Sequence, residues 1–264
     1  MQLQIHPEIE LLRKECESLR QRLGDRIAER DKLITTIKPN LEAQYQIEFG
    51  VLLLERLDLQ VQAQRTRRKI ELVRAKLNRN EIPDMLEIES KLDEEFIVWQ
   101  EKVRELLKKN RWAETHFTNL MSEADSKELH RLYRTLAKKL HPDLNPNLTE
   151  AKQELWYQVS RAYEMGDLET LRSLALLTEE EGERILKVDS FSELKNIRDL
   201  LMEKNEQLLK YLQDLEQIFP FNICKQILDP LWIQEQKDIL EKQINMLKIQ
   251  LAYLKTTMNE LLAE

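Results

Sequence analysis

The sequence predicts an all-α protein in which a central helical module is flanked by long antiparallel coiled-coil hairpins. Three observations carry this. Of 264 residues only four are glycine and seven proline, too few for the turns of a sheet protein. Charged residues make up 34% and aromatics 6%, the balance of long helices. Apolar residues also recur at alternating spacings of four and three through most of the chain.

The first such stripe is Ile5, Ile9, Leu12, Cys16, Leu19 and Leu23, which falters at Arg26 and Arg30 before Leu33 and Ile37. Pro39-Asn40 follows, and proline breaks a helix interior. A second stripe then runs Tyr45, Phe49, Leu52, Arg56, Leu59, Ala63, Thr66, Ile70, Val73, Leu77. Two periodic helices about a short break read as an antiparallel coiled-coil arm over 1–80. After Ile82-Pro83-Asp84, with Asp84 as candidate cap, Met85, Ile88, Leu92, Phe96, Trp99, Val103 and Leu106 mark a connecting helix over 84–111.

The C-terminal part, 188–264, reads as a second antiparallel coiled-coil arm. One stripe runs from Leu194 through Leu201, Asn205, Leu208 and Leu212 to Phe219. The segment between Pro220 and Pro230 makes the turn, and Leu240, Ile244, Leu247, Leu251, Leu254, Met258 and Leu261 form the return stripe. Asn205, polar at a seam position, suits a register-setting role.

Between the arms, 112–177 follows a different pattern. Asp125 with Glu128 resembles a capping box. Leu129, Leu132, Tyr133, Leu136 and Leu140 then line one helix face, and Arg131, Arg134, Lys138 and Lys139 the other. The helix must stop at His141-Pro142-Asp143, because a residue preceding proline is driven out of helical geometry. Asn145-Pro146-Asn147 continues the loop. A new helix starts near Thr149, buries Leu155, Trp156, Val159, Ala162 and Tyr163, and ends at Gly166.

Two antiparallel helices, one basic, joined by a loop bearing His-Pro-Asp resemble the J domain of DnaJ-type co-chaperones. The likeness extends through Leu132-Tyr133-Arg134-Thr135-Leu136-Ala137-Lys138-Lys139-Leu140 to the loop, and through Trp156 to Glu164 after it. It implies that 112–177 is a J domain and that 132–143 and 156–164 correspond to the family's helices II and III. Phe117-Thr118-Asn119-Leu120-Met121 is the best candidate for helix I, with Met121 where the family has glycine. The stretch after Gly166 is more acidic than the family's helix IV.

The resemblance implies that His141, Pro142 and Asp143 stimulate the ATPase of a DnaK-type partner, whose own residues do the chemistry. Pro142 stiffens the loop. Asp143 offers a carboxylate to a partner arginine. His141 either bonds to partner backbone or holds the loop's shape. From Lys127 to Asp143 five Lys or Arg face two acidic residues, inside a chain of net charge −7. Such a local inversion suits docking on an acidic surface, which assigns Arg131, Arg134, Lys138 and Lys139 to that contact. Alone, a basic helix face is a solvated face; beside His-Pro-Asp it becomes a docking face. Tyr133, Leu136, Trp156 and Tyr163 are expected in the core.

No catalytic role of its own is expected, since no phosphate loop, carboxylate pair or nucleophile constellation is visible. No cofactor is implied. Cys16 and Cys224 are too sparse for a disulfide framework, and the histidines lack ligand spacing, so no metal site is expected. A cytoplasmic co-chaperone without a membrane span is expected, its arms binding a client, targeting the complex or forming a homodimer. The alternatives are a structural coiled-coil scaffold with an inactive J-like module and, less favoured, a nucleic-acid scaffold using Arg65-Thr66-Arg67-Arg68-Lys69.

Overall fold

The computed structural model describes residues 7–118, 121–146, 148–179 and 190–263. Ile5 of the first stripe, Asn119 and Leu120 of the helix I candidate, and Asn147 of the loop lie outside them. Nine α-helices and no strand occur among the described residues. They are α1 (Pro7–Lys32), α2 (Lys38–Leu77), α3 (Met85–Glu95), α4 (Ile97–Thr118), α5 (Glu123–Leu140), α6 (Glu150–Glu164), α7 (Leu168–Glu179), α8 (Phe191–Gln217) and α9 (Pro230–Ala263). The all-α class and the central placement of the module hold.

The turn expected at Pro39-Asn40 is absent. A π-helical segment, Leu33–Ile37, joins α1 to α2, and the Lys38 amide donates to Leu33 O, five residues back. Widening the helix there takes up the ring of Pro39 and its missing donor, so the backbone stays helical. Asp84 does cap α3, its carboxylate accepting the Leu86 and Glu87 amides. The connecting helix expected over 84–111 is interrupted at Phe96 and resumes as α4.

The chain forms two compact units, 1–39 with 120–222 and 40–119 with 223–264. In the first, α1 packs on α8 and on α5, and α5, α6 and α7 pack on one another. Cys16, Leu19, Leu23 and Ile27 of α1 bury against Leu201 of α8. Cys16 contacts the Leu194 carbonyl, and Arg26 donates to Asn205, so the two helices run in the same direction. In the second unit, Glu48 pairs with Lys237 and Glu55 with Lys248, so α2 and α9 are parallel as well. Ala63, Ile70 and Val73 of α2 share a core with Ile88 and Leu92 of α3 and with Leu251, Leu254 and Met258 of α9.

The arms are therefore not two local antiparallel hairpins. The seams join the first part of the chain to the last, in parallel. A heptad-like stripe states that a face will be covered and leaves open which helix covers it.

Asn205 sits at the α1–α8 seam, only 4% exposed, with its polar atoms engaged. Its amide donates to Leu19 O at 3.0 Å and Leu201 O at 2.8 Å, and its Oδ1 accepts from Arg26 at 2.9 Å.

Candidate functional site: the His-Pro-Asp loop

Helix α5 begins one turn earlier than the sequence suggests. Ser122 is the cap: its Oγ accepts the Asp125 amide at 3.1 Å and donates to the Asp125 carboxylate at 2.6 Å. Glu128 pairs instead with Arg172 of α7 at 2.7 Å. Leu129, Tyr133, Leu136, Ala137 and Leu140 are buried against Val159, Ala162 and Tyr163 of α6 and Leu171 and Leu174 of α7. Leu132, Leu155 and Trp156 close the edges and are half-buried. Tyr133 and Tyr163 stack with ring centres 3.8 Å apart. Gly166 ends α6 at φ 68°, with the Gly166 and Asp167 amides returning to Tyr163 O and Ala162 O.

At the end of α5, His141 takes the extended backbone that the following proline demands, φ −66° and ψ 129°. The residue is 8% exposed, and its ring lies edge-on to Trp156 at 4.8 Å. The Asp143 amide donates to His141 Nδ1 at 3.0 Å, so the ring proton resides on Nε2 and the imidazole is neutral. Burial holds its pKa below the ordinary 6.5, with Arg30 and Lys204 acting the same way and Asp143 opposing them. The amides of Leu144 and Asn145 return to His141 O, and the Asn145 side chain caps Lys138 O and His141 O. His141 is thereby tied to the shape of the loop. Pro142 and Asp143 are exposed and Leu144 is buried.

The basic residues do not share one environment. Arg134 and Lys138 both reach Asp25 of α1, at 2.6 and 2.8 Å. Lys139 donates to Thr178 O on α7 at 3.2 Å, and Arg131 is exposed beside Glu128. Asp143 accepts from Lys204 of α8 at 2.8 Å, and Asn145 accepts from Arg20 of α1. Burial acts to raise both carboxyls, but the bonds from Lys138 and Arg134 to Asp25, and from Lys204 to Asp143, hold them below the usual carboxylate range. An open groove of about 640 Å³ lies beside the loop, lined by Ile34, Asp143, Lys204, Leu208 and Tyr211 among others.

Arg20, Asp25 and Lys204 were invisible as site residues, being ordinary charges on long helices far away in sequence. Elsewhere, the basic run of α2 is balanced internally. Arg65 pairs with Glu89 and Asp93, Lys69 with Glu89, and Arg68 with Glu71 and Glu95. Among the described residues no cluster of three or more His, Cys, Asp or Glu could hold a metal ion. No helix among them is long and apolar enough to cross a membrane.

Helix, His-Pro-Asp turn and returning helix, closed by a third helix, define a J-type module, and comparison with known families agrees. Residues 117–172 match the family model of the DnaJ domain. The centre of the chain thus carries a DnaJ domain. No curated protein and no solved structure matches the chain.

Proposed function

We propose that this protein is a J-domain co-chaperone or adaptor that recruits a DnaK-type chaperone and stimulates its ATPase through His141, Pro142 and Asp143. The observation that carries the reading is the loop itself. A buried neutral imidazole fixes a turn that presents Pro142 and the Asp143 carboxylate at the end of a basic helix, inside a DnaJ-domain match. Arg131, Arg134, Lys138 and Lys139 supply the cationic approach to an acidic chaperone surface. We place the module at 112–177, with the remaining helices serving client binding, targeting or dimerisation. Met246, Ile249 and Tyr253, each over 70% exposed on α9, supply apolar contact area for such a role.

The test is the ATPase rate of a DnaK-type chaperone with the full chain and with Asp143→Asn. Stimulation by the wild type that the substitution abolishes is the expected result. Equal rates with the two forms, or none with either, would favour a scaffold whose J module is silent.

A further inference from the structure

The contacts a partner would make to the loop are already made within the chain. Asp143, the carboxylate offered to a partner arginine, holds the ammonium of Lys204. Arg134 and Lys138, the cations offered to partner carboxylates, hold Asp25. Leu144, next to Asp143, is 4% exposed and belongs to the same cluster as Leu19, Leu23 and Leu201. Arg20 adds a bond to Asn145 at the far side of the turn.

Gly24 sets how closely this can pack. A Cβ at that position would lie 3.0 Å from the Lys138 side chain and 3.2 Å from Leu144, so a larger residue there pushes on both the basic face and the loop.

We infer that α1 and α8 form a built-in cover that docks on the His-Pro-Asp loop and basic face of α5, and that an acidic chaperone surface must displace it. This rests on the reading of the loop as the chaperone contact. The cover carries the charges of the partner it imitates: a carboxylate over Arg134 and Lys138, a cation over Asp143. Its ion pairs are partly exposed, with the Arg134 side chain 55% and that of Asp143 50% accessible. Pairs of that kind are individually weak and exchange for equivalent partners. Cover and chaperone therefore compete for the same groups, and the cover sets a threshold for engagement.

The experiment compares full-length wild type with a double variant, Asp25→Ala with Lys204→Ala, which leaves the net charge unchanged. A second variant, Gly24→Leu, wedges the cover away without touching a charge, and Lys248→Ala, which breaks the pair with Glu55, is the control. DnaK-type ATPase stimulation is titrated for each, and hydrogen exchange is followed over residues 141–146. Both release variants are expected to reach half-maximal stimulation at about three- to tenfold lower concentration, the double variant through the loss of three weak ion pairs and Gly24→Leu through lost packing of the cover. Loop amides should exchange faster in them, and the control should match wild type. Equal titration curves for wild type and release variants overturn the cover and leave the co-chaperone reading standing. Weaker stimulation by the release variants also overturns it, making α1 and α8 part of the docking surface. No stimulation by any form, even with the loop shown open by exchange, removes both.

Discussion

The Tyr133 hydroxyl donates to Asp31 Oδ2 at 2.6 Å, joining α5 to α1 across 102 residues of sequence. The phenol is buried, stacked on Tyr163, and Asp31 also accepts from Arg30. Burial first, then the Asp31 charge, pushes the Tyr133 hydroxyl far above its usual range, so it stays protonated and donates. Tyr133→Phe keeps the stack and leaves a mostly buried carboxylate short of a donor. The expected cost is about 1–3 kcal/mol, read as a lower midpoint in urea unfolding monitored by circular dichroism. An unchanged midpoint would show that water replaces the bond.

His130 and His141 make the first unit sensitive to mild acid. Burial lowers both pKa values below the ordinary 6.5. The unfolded chain then binds protons more readily than the folded one as pH falls below 6.5. Their contribution to stability is complete above that pH and is lost as pH drops through the lowered folded values. Asp25 and Asp143, lowered from 3.8, lose theirs in a separate and more acidic window. Thermal midpoints should fall between about pH 8 and pH 5, and His141→Gln should flatten the curve. A flat wild-type curve would contradict this.

Asn205→Ala removes the additional donor that Leu19 O and Leu201 O receive beside their helical amides, and one of the acceptors of Arg26. A loss of about 0.5–1.5 kcal/mol is expected, checked by chemical unfolding. Asn205→Leu tests register instead. Cross-linking between α1 and α8 should become less selective for one alignment if the asparagine sets it.

The two cysteines should report separately. Cys16 is 6% exposed at the α1–α8 seam, and burial, then the nearby Glu15, raises its thiol above the ordinary 9.0. Cys224 is only half-buried. A maleimide reagent should label Cys224 first under native conditions and Cys16 only after denaturation, as read by peptide mass spectrometry. Equal rates would mean that the seam opens readily.

Local chemistry was legible in the sequence, and pairing was not. The stop at His141, the cap at Asp84, the αL position of Gly166 and the core face of α5 all follow from neighbouring residues, and each occurs. Helix α5 starts one turn before the Asp125-Glu128 pair because Ser122-Glu123-Ala124-Asp125 is as good a cap. Pro39 misled for a related reason: five residues of π-helix can absorb a proline that would break a regular helix. The partners of α1 and α2 could not be read, since α8 and α9 lie more than a hundred residues on and any apolar stripe would cover another. The same blindness hid Asp25 and Lys204.

The separation of Asp143 from Lys204 has a temporal meaning as well as a spatial one. The lysine comes 61 residues after the aspartate, and synthesis proceeds in that order. At about 5–20 residues per second, a growing chain possesses the loop for roughly 3–12 s before the residue that neutralises it exists.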